Sequence, residues 1–296
     1  MQVTKALRLF QTALVSKMSS SSSSNSMAQK WSETANSYFK YFEPSSLVAG
    51  RFMFNVMKMQ FQSEPLKILE AGCGAGGAAK ELLTNLNGLS LDHLYVTDIA
   101  DGMLEKAKEK LDGMDKVTIE KSDFTKFHYG DSSMDRYYAN MCLHYAPDPD
   151  AVLKEAHRVL KPGGIAGFTV WGDASKSPLM TIVPDVLHDF GLDPKDPSKR
   201  SSFHLGNDDT ALRQKVLDLG FSKCTLIHYP GAMECFEPAS YVELIIDGAA
   251  STKKQIESFS EEDQKRVRQE VHDRSKAILD QGLPMQLDIL ILIAQK

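Results

Sequence analysis

The sequence predicts an α/β fold: a mostly parallel sheet with helices on both faces. Three observations carry that prediction. The run Ile68-Leu69-Glu70-Ala71-Gly72-Cys73-Gly74-Ala75-Gly76-Gly77 reads as a buried strand, a tight turn and a helix start. Strand-like and helix-like runs then alternate as far as Trp171. Two of those later strand runs end, like the first, in an acid: Asp98 and Asp123. Such alternation is the pattern of βαβ units around a parallel sheet.

The elements follow in order. After the glycines a helix is expected from Ala78 to Leu86. Leu94 to Asp98 reads as the second strand, and Asp101 opens a helix running to about Leu111. Val117 to Phe124 reads as the third strand, and Asp135 to Met141 as the fourth. Leu143 to Pro149 is a loop, and a helix from about Asp150 to Leu160 leads through Lys161-Pro162-Gly163-Gly164 into a fifth strand, Ile165 to Trp171. Gly172 to Leu205 has few regular patterns and carries Pro178, Pro184, Pro194 and Pro197. Asp208 or Asp209 suits the N-cap of a helix ending at Leu219, with Gly220 just past its end. Phe221 to Tyr229 reads as strand six, Pro238 to Gly248 and Ser260 to Asp280 as helices, and Leu287 to Ala294 as the last strand. Upstream, Trp31 to about Gln62 reads as helical and is broken at Glu43-Pro44-Ser45-Ser46.

The glycine turn is a nucleotide-cofactor site on two grounds. Glycines let backbone N–H groups approach a ligand, and the helix N-terminus adds partial positive charge. Two ligands fit the spacing. Gly72, Gly74 and Gly77 match G-x-G-x-x-G, and Asp98 follows Gly77 after about 20 residues, as in dinucleotide sites. Glu70, Gly72, Gly74 and Gly76 also match acid-x-Gly-x-Gly-x-Gly. Glu70 favours the second form, because an acid there suits a cationic ligand and would repel a pyrophosphate.

From Glu70 to Trp171 the chain resembles the class I S-adenosylmethionine-dependent methyltransferases, small-molecule type. The residues that carry the resemblance are the acid-glycine turn, Asp98, Asp123-Phe124, the strand ending in Asn140-Met141, and Leu160-Lys161-Pro162-Gly163-Gly164. The resemblance implies a Rossmann-like, seven-stranded, mostly parallel sheet with a final antiparallel pair and a mainly helical cap. It implies S-adenosyl-L-methionine as cofactor, held by Tyr38, Glu70, Gly72, Gly74, Gly76, Asp98, Ile99, Met103, Asp123, Phe124 and Asn140. Asp98 would take the ribose hydroxyls, while Asp123 and Phe124 would meet the adenine. Trp31 and Tyr38 are candidates to face the sulfonium, since aromatic faces attract cations. For both, and for Trp31 above all, ordinary core packing is the competing explanation. His144 and Tyr145 follow strand four where the methyl group should emerge, and either is a candidate catalytic base, the unperturbed His pKa lying near the working range. A simple loop-capping role is the alternative for His144.

Composition narrows the remaining classes. The 296 residues are 42% hydrophobic and 25% charged, ordinary for a globular chain. The net charge of −5 argues against a protein that coats nucleic acid. No apolar run approaches the roughly 18 residues of a spanning helix. Cys73, Cys142, Cys224 and Cys235 show no zinc or redox spacing, and the histidines are scattered, so no metal site is expected. Residues 1–32 hold Lys5, Arg8, Lys17 and Lys30, the serine run Ser19 to Ser24, and no acid. Such a basic amphipathic start resembles a mitochondrial transit peptide, with a disordered tail of a cytoplasmic protein as the alternative.

Residues 1–26 are therefore read as a tail or transit peptide, and 27–296 as a single methyltransferase domain. Cap elements are expected at about 172–205 and 236–284, where Met180, Leu187, Phe190, Phe203, Leu244 and Ile245 would line an apolar pocket or form the cap's own core. The modest cap points to a small-molecule acceptor with an O, N or C nucleophile; the oligomeric state is left open. Two other classes compete: a catalytically inactive S-adenosylmethionine-binding partner or assembly factor of the same fold, and an NAD-dependent oxidoreductase.

Overall fold

A computed structural model of the chain describes residues 26–29, 31–32, 43–193, 201–232 and 237–296. The basic N-terminal segment up to residue 25, Tyr38, Pro194 and Pro197 lie outside the described residues.

Seven strands form one sheet: β1 (Leu66–Ala71), β2 (Leu91–Asp98), β3 (Val117–Lys121), β4 (Met134–Asn140), β5 (Leu160–Trp171), β6 (Lys223–Ala232) and β7 (Gln286–Gln295). Their order is β3-β2-β1-β4-β5-β7-β6. The first five strands are parallel, and β7 runs antiparallel to both β5 and β6. The expected final antiparallel pair is present as this β6–β7 pair. The chain leaves β1 toward β2 on one side and returns to β4 on the other. That switch point opens at the carboxyl ends of β1 and β4, where open α/β sheets bind ligands. Parallel strands are covered on both faces, which is why Ile68, Leu69, Glu70 and Ala71 are all buried.

Helices α1 (Glu43–Val56), α2 (Gly77–Asn85), α3 (Asp101–Lys110), α4 (Pro149–Val159), α5 (Pro178–Asp189) and α6 (Asp209–Asp218) precede β6. Helix α7 (Pro238–Val242), a π-turn at Glu243–Asp247, α8 (Ala250–Glu257) and α9 (Glu261–Leu279) lie between β6 and β7. Local chemistry sets several ends. The Asp148 carboxylate accepts the Ala151 N–H at the start of α4, with Pro149 in the first turn. Asp208 caps α6 in the same way through Ala211, and Gly220 follows that helix at φ 103°. Ser260 caps α9 through Asp263.

The structure departs from the sequence reading in five places. Helix α1 stops at Val56, short of Gln62, because Lys58 has φ 53° and the Arg136 guanidinium donates to the Met57 and Lys58 carbonyls at 2.9 and 3.0 Å. Strand β3 stops at Lys121, because Asp123 Oδ1 turns the chain by accepting the Thr125 N–H and hydroxyl. Strand β5 starts earlier, at Leu160. Met134 pairs with Leu160 and Arg136 with Ile165, so residues 161–164 loop out of an otherwise continuous strand. The supposedly irregular stretch after β5 contains α5: Pro178 sits in its first turn, Pro184 on its exposed face, and Leu179, Ile182, Val183, Val186 and Leu187 on its buried face. Helix α8 is a further element absent from the sequence reading.

The segment after β5 is tied to the sheet by one buried acid. Asp288 Oδ2, on β7, accepts the Asp173 N–H at 2.6 Å and lies 2.6 Å from His228 Nδ1, while His228 Nε2 lies 3.0 Å from Asp209. Burial alone would lower the His228 pKa, but Asp288 and Asp209 outweigh it and raise the value above 6.5. The charged latch therefore contributes fully below the ordinary histidine range and is lost as pH rises through the raised value. The melting temperature should fall between about pH 6.5 and about pH 8.5, and His228→Gln should flatten that fall. Thermal unfolding at the two pH values checks this; superimposable pH dependence in the two proteins contradicts it.

Candidate functional site

The site grows from the turn after β1. Gly72, Gly74 and Gly76 all take positive φ, at 65°, 54° and 79°, where a side chain is strained. Gly72 has a second reason to be glycine: a Cβ there would meet Cys142 Sγ at 2.7 Å. Gly76 is the N-cap of α2 and offers no side chain, which leaves the first N–H groups of that helix facing the turn.

Asp98 joins the strand ends. Its Oδ2 accepts the Gly74 N–H and its Oδ1 the Ala100 N–H, both at 2.9 Å. The Asp98 carbonyl accepts the Ser122 N–H at 2.9 Å, and the Thr97 carbonyl accepts the Cys73 N–H at 2.9 Å. The turn after β1, the start of α3 and the end of β3 are thus fixed through β2. Burial raises the Asp98 pKa, and the N–H bonds from Ala100, Gly74 and Ile99 oppose that rise. Each carboxylate oxygen retains a further lone pair for a ligand hydroxyl.

Glu70 is only 1% exposed. Its Oε2 has no hydrogen-bond partner among the described residues. Burial pushes its carboxyl up to about 8; the Tyr138 hydroxyl and Lys110 pull it down, while Asp98 and Glu43 push it further up. Glu43, at the start of α1, is paired with Lys110 of α3. A Cβ on Gly77 would lie 2.5 Å from Glu43 Oε1, so the α1 carboxylate sits against the first residue of α2. Three acids therefore surround one glycine turn.

The other expected cofactor residues divide. Met103 is buried with Ala100 against Trp31. Ile99, Asp123 and Phe124 are half-buried, and Asp123 Oδ1 is engaged by Thr125. Asn140 is engaged within the fold. Its Oδ1 accepts the Thr169 hydroxyl at 2.7 Å and its Nδ2 donates to the Ser46 carbonyl at 3.3 Å, so its amide ties α1 to β4 and β5. The cap candidates Leu187, Phe203 and Ile245 are buried in the main core cluster, with Met180, Phe190 and Leu244 packed against it.

His144 also differs from the expected base. It is 4% exposed, and neither ring nitrogen has a hydrogen-bond partner among the described residues. Burial, helped by His204, lowers its pKa to about 3, so the ring is neutral and weakly basic. Around it stand aromatic rings: Tyr145 at 4.1 Å and Trp171 at 5.4 Å, with Trp31 packed on Tyr145 at 5.1 Å and Phe203 on Trp171 at 5.0 Å. Sequence reasoning missed Glu43, Tyr138 and Trp171, and named Phe203 only among the cap residues. Glu43 alone carried a signal, as an acid immediately before Pro44 at a helix break.

Among the described residues no group of three or more His, Cys, Asp or Glu side chains could hold a metal ion, and no helix is long and apolar enough to cross a membrane.

Comparison with known proteins places this geometry. Residues 69–168 match the methyltransferase domain family. The sterol 24-C-methyltransferase erg6 of Aspergillus fumigatus is 36% identical over 113 residues, covering 36% of this chain and 28% of that protein. The sterol 24-C-methyltransferase of Debaryomyces hansenii is 35% identical over 125 residues, covering 40% of this chain and 31% of that protein. The chain thus spans under a third of the length of these curated relatives. Among solved structures, the YcgJ protein of Bacillus subtilis superposes with a TM-score of 0.54 at 15% identity, covering 83% of this chain and 97% of that one. Phosphoethanolamine N-methyltransferase 2 of Haemonchus contortus, solved with S-adenosyl-L-methionine, superposes at 0.51 and 15% identity, covering 84% of this chain and 52% of that one. These structural likenesses speak to fold. The family match makes residues 69–168 a methyltransferase domain, in keeping with the motifs that the sequence carries there.

Two substitutions test the turn. Gly72→Ala should destabilise the protein by more than about 1 kcal/mol through strain and the Cys142 contact, read by denaturant unfolding. Asp98→Ala should weaken S-adenosylmethionine binding by about tenfold or more, the scale of a lost charge-assisted hydrogen bond. Unchanged affinity in that variant would remove Asp98 from the site.

Proposed function

We propose that the chain transfers a methyl group from S-adenosyl-L-methionine to a small, largely apolar acceptor. The observation that carries this reading is Glu70: a buried carboxyl with an unpartnered oxygen at the mouth of a glycine turn. Asp98 and Glu43 stand beside it. This acidic lining suits a ligand that brings an ammonium and a sulfonium, and it repels a pyrophosphate. The dinucleotide reading of the glycines is therefore set aside. The fit is also steric, because the positive-φ glycines keep the turn free of Cβ atoms.

The cofactor, when bound, supplies a methyl group on a positively charged sulfur, and that intrinsic reactivity needs no enzyme nucleophile. The chain's own residues bind and orient. Glu70 faces the ammonium, Asp98 the ribose hydroxyls, and Asp123 with Phe124 the adenine edge and face. Gly74 and the start of α2 shape the floor. His144, Tyr145, Trp171 and Phe203, at or beyond the ends of β4 and β5, form the acceptor side. Aromatic faces there exclude water and favour a cationic reacting centre. His144 in this reading is a neutral polar contact for the acceptor, where its ring nitrogens find a partner. Helices α5 and α7–α9 form the cap above this side. The sterol methyltransferase relatives support an apolar acceptor class, and the aromatic side points the same way.

Isothermal titration of the chain with S-adenosylhomocysteine tests the reading. Micromolar affinity is expected, about −8 kcal/mol, with no comparable binding of NAD(H). Binding of NAD(H) alone would contradict it. Labelled S-adenosylmethionine with a panel of apolar acceptors then separates an enzyme from an inactive partner of the same fold. His144→Ala should leave S-adenosylhomocysteine affinity within about twofold and lower methylation by about tenfold or more, the scale of one lost hydrogen bond to a buried group. Wild-type turnover in that variant would exclude His144 from the acceptor side.

A further inference from the structure

Glu70 and Tyr138 are direct register partners across the parallel β1–β4 pair. Both side chains are buried, at 1% and 0% exposure. Glu70 Oε2 and the Tyr138 hydroxyl are two of the few buried polar atoms left without a hydrogen bond among the described residues. The two atoms do not meet the geometry of a hydrogen bond, yet the Tyr138 hydroxyl is the largest influence favouring the Glu70 carboxylate. Two adjacent polar groups without partners are costly inside a protein unless a ligand completes them.

The groups around Glu70 say which ligand. Asp98 from β2 and Glu43 from α1 disfavour a further negative charge. Lys110 from α3 favours one, but it is already paired with Glu43. Cys73 and Cys142 contribute buried thiols whose own ionisation is suppressed. Left alone, this setting keeps Glu70 a neutral acid at neutral pH. A cation brought to its free oxygen reverses the balance, because an adjacent positive charge favours the carboxylate.

Resting on the cofactor reading above, we propose that Glu70 meets the cofactor's ammonium as a carboxylate formed by releasing one proton to solvent, and that Tyr138 is the positioning residue whose hydroxyl donates to that carboxylate. The O–H bond of the Glu70 acid breaks, the proton goes to the buffer, and the ammonium keeps its own protons. Cofactor affinity is then coupled to pH through a single group that no substrate touches. Below the pH at which free Glu70 ionises, affinity rises about tenfold per pH unit; above it, affinity levels off.

Titration of the full chain with S-adenosylhomocysteine near pH 7, in two buffers of different ionisation enthalpy, counts the protons. About one proton should be released per ligand bound, and Glu70→Gln should abolish both the release and the pH slope. Tyr138→Phe should move the levelling point to higher pH. Its affinity should fall about three- to tenfold at neutral pH and recover toward wild type in more alkaline buffer, where the carboxylate forms unaided. A general structural loss would lower affinity equally at every pH. Tight binding without proton release, release that persists in Glu70→Gln, or a Tyr138→Phe profile that overlays wild type each overturns the proposal while leaving the cofactor reading intact. Absence of binding overturns that reading and the proposal with it. The proton count is read on wild type and Glu70→Gln, so it decides the matter even if Tyr138→Phe does not fold.

Discussion

Three carboxyl groups packed around one glycine turn form the constraint on which the site depends. Each is held by a different device. Asp98 receives backbone N–H groups from Gly74 and Ala100, Glu43 is paired with Lys110, and one Glu70 oxygen has no partner among the described residues. Carboxyls this close and this buried resist being charged together. The turn is therefore tolerant of a cation and hostile to an anion before any ligand arrives. That asymmetry separates it from a pyrophosphate site built from the same glycines.

The rest of the fold serves to hold this arrangement. Arg136 clamps the end of α1 by its carbonyls, and Asn140 ties the helix start through Ser46 and Thr169. Those two anchors fix α1 across the sheet and so deliver Glu43 to α2. On the far side, Asp288 fixes the chain leaving β5, which aims Trp171 at His144. The glycine turn and the aromatic cluster around His144 are thus held by separate anchors.

Much of this was legible in the sequence wherever a residue's role was local. The strands showed as apolar runs, the glycines as a turn, and Asp98 and Asp123 as strand-end acids, because backbone pattern decides all of these. Asp208, Ser260 and Gly220 marked helix ends by their own chemistry. Helix α5 was hidden by its prolines: Pro178 falls in the first turn, where it is tolerated, while Pro184 lies inside the helix and forgoes a backbone hydrogen bond there. The place of Asn140 in the strand was legible, but its amide partners, Thr169 and Ser46, come from distant segments. His144 looked like a base from its place after β4; its burial depends on Trp171 and Phe203, which no local pattern connects to it. Tyr138 and Glu43 became visible only once β4 and α1 were laid against the turn.

The most direct test of the account is a crystal structure of the protein with S-adenosylhomocysteine. It predicts the ligand amine within hydrogen-bond distance of Glu70, about 3 Å, with the ribose hydroxyls on Asp98 and the sulfur facing the His144 side. A ligand whose amine lies away from Glu70, or whose carboxylate occupies that acidic corner, would contradict it.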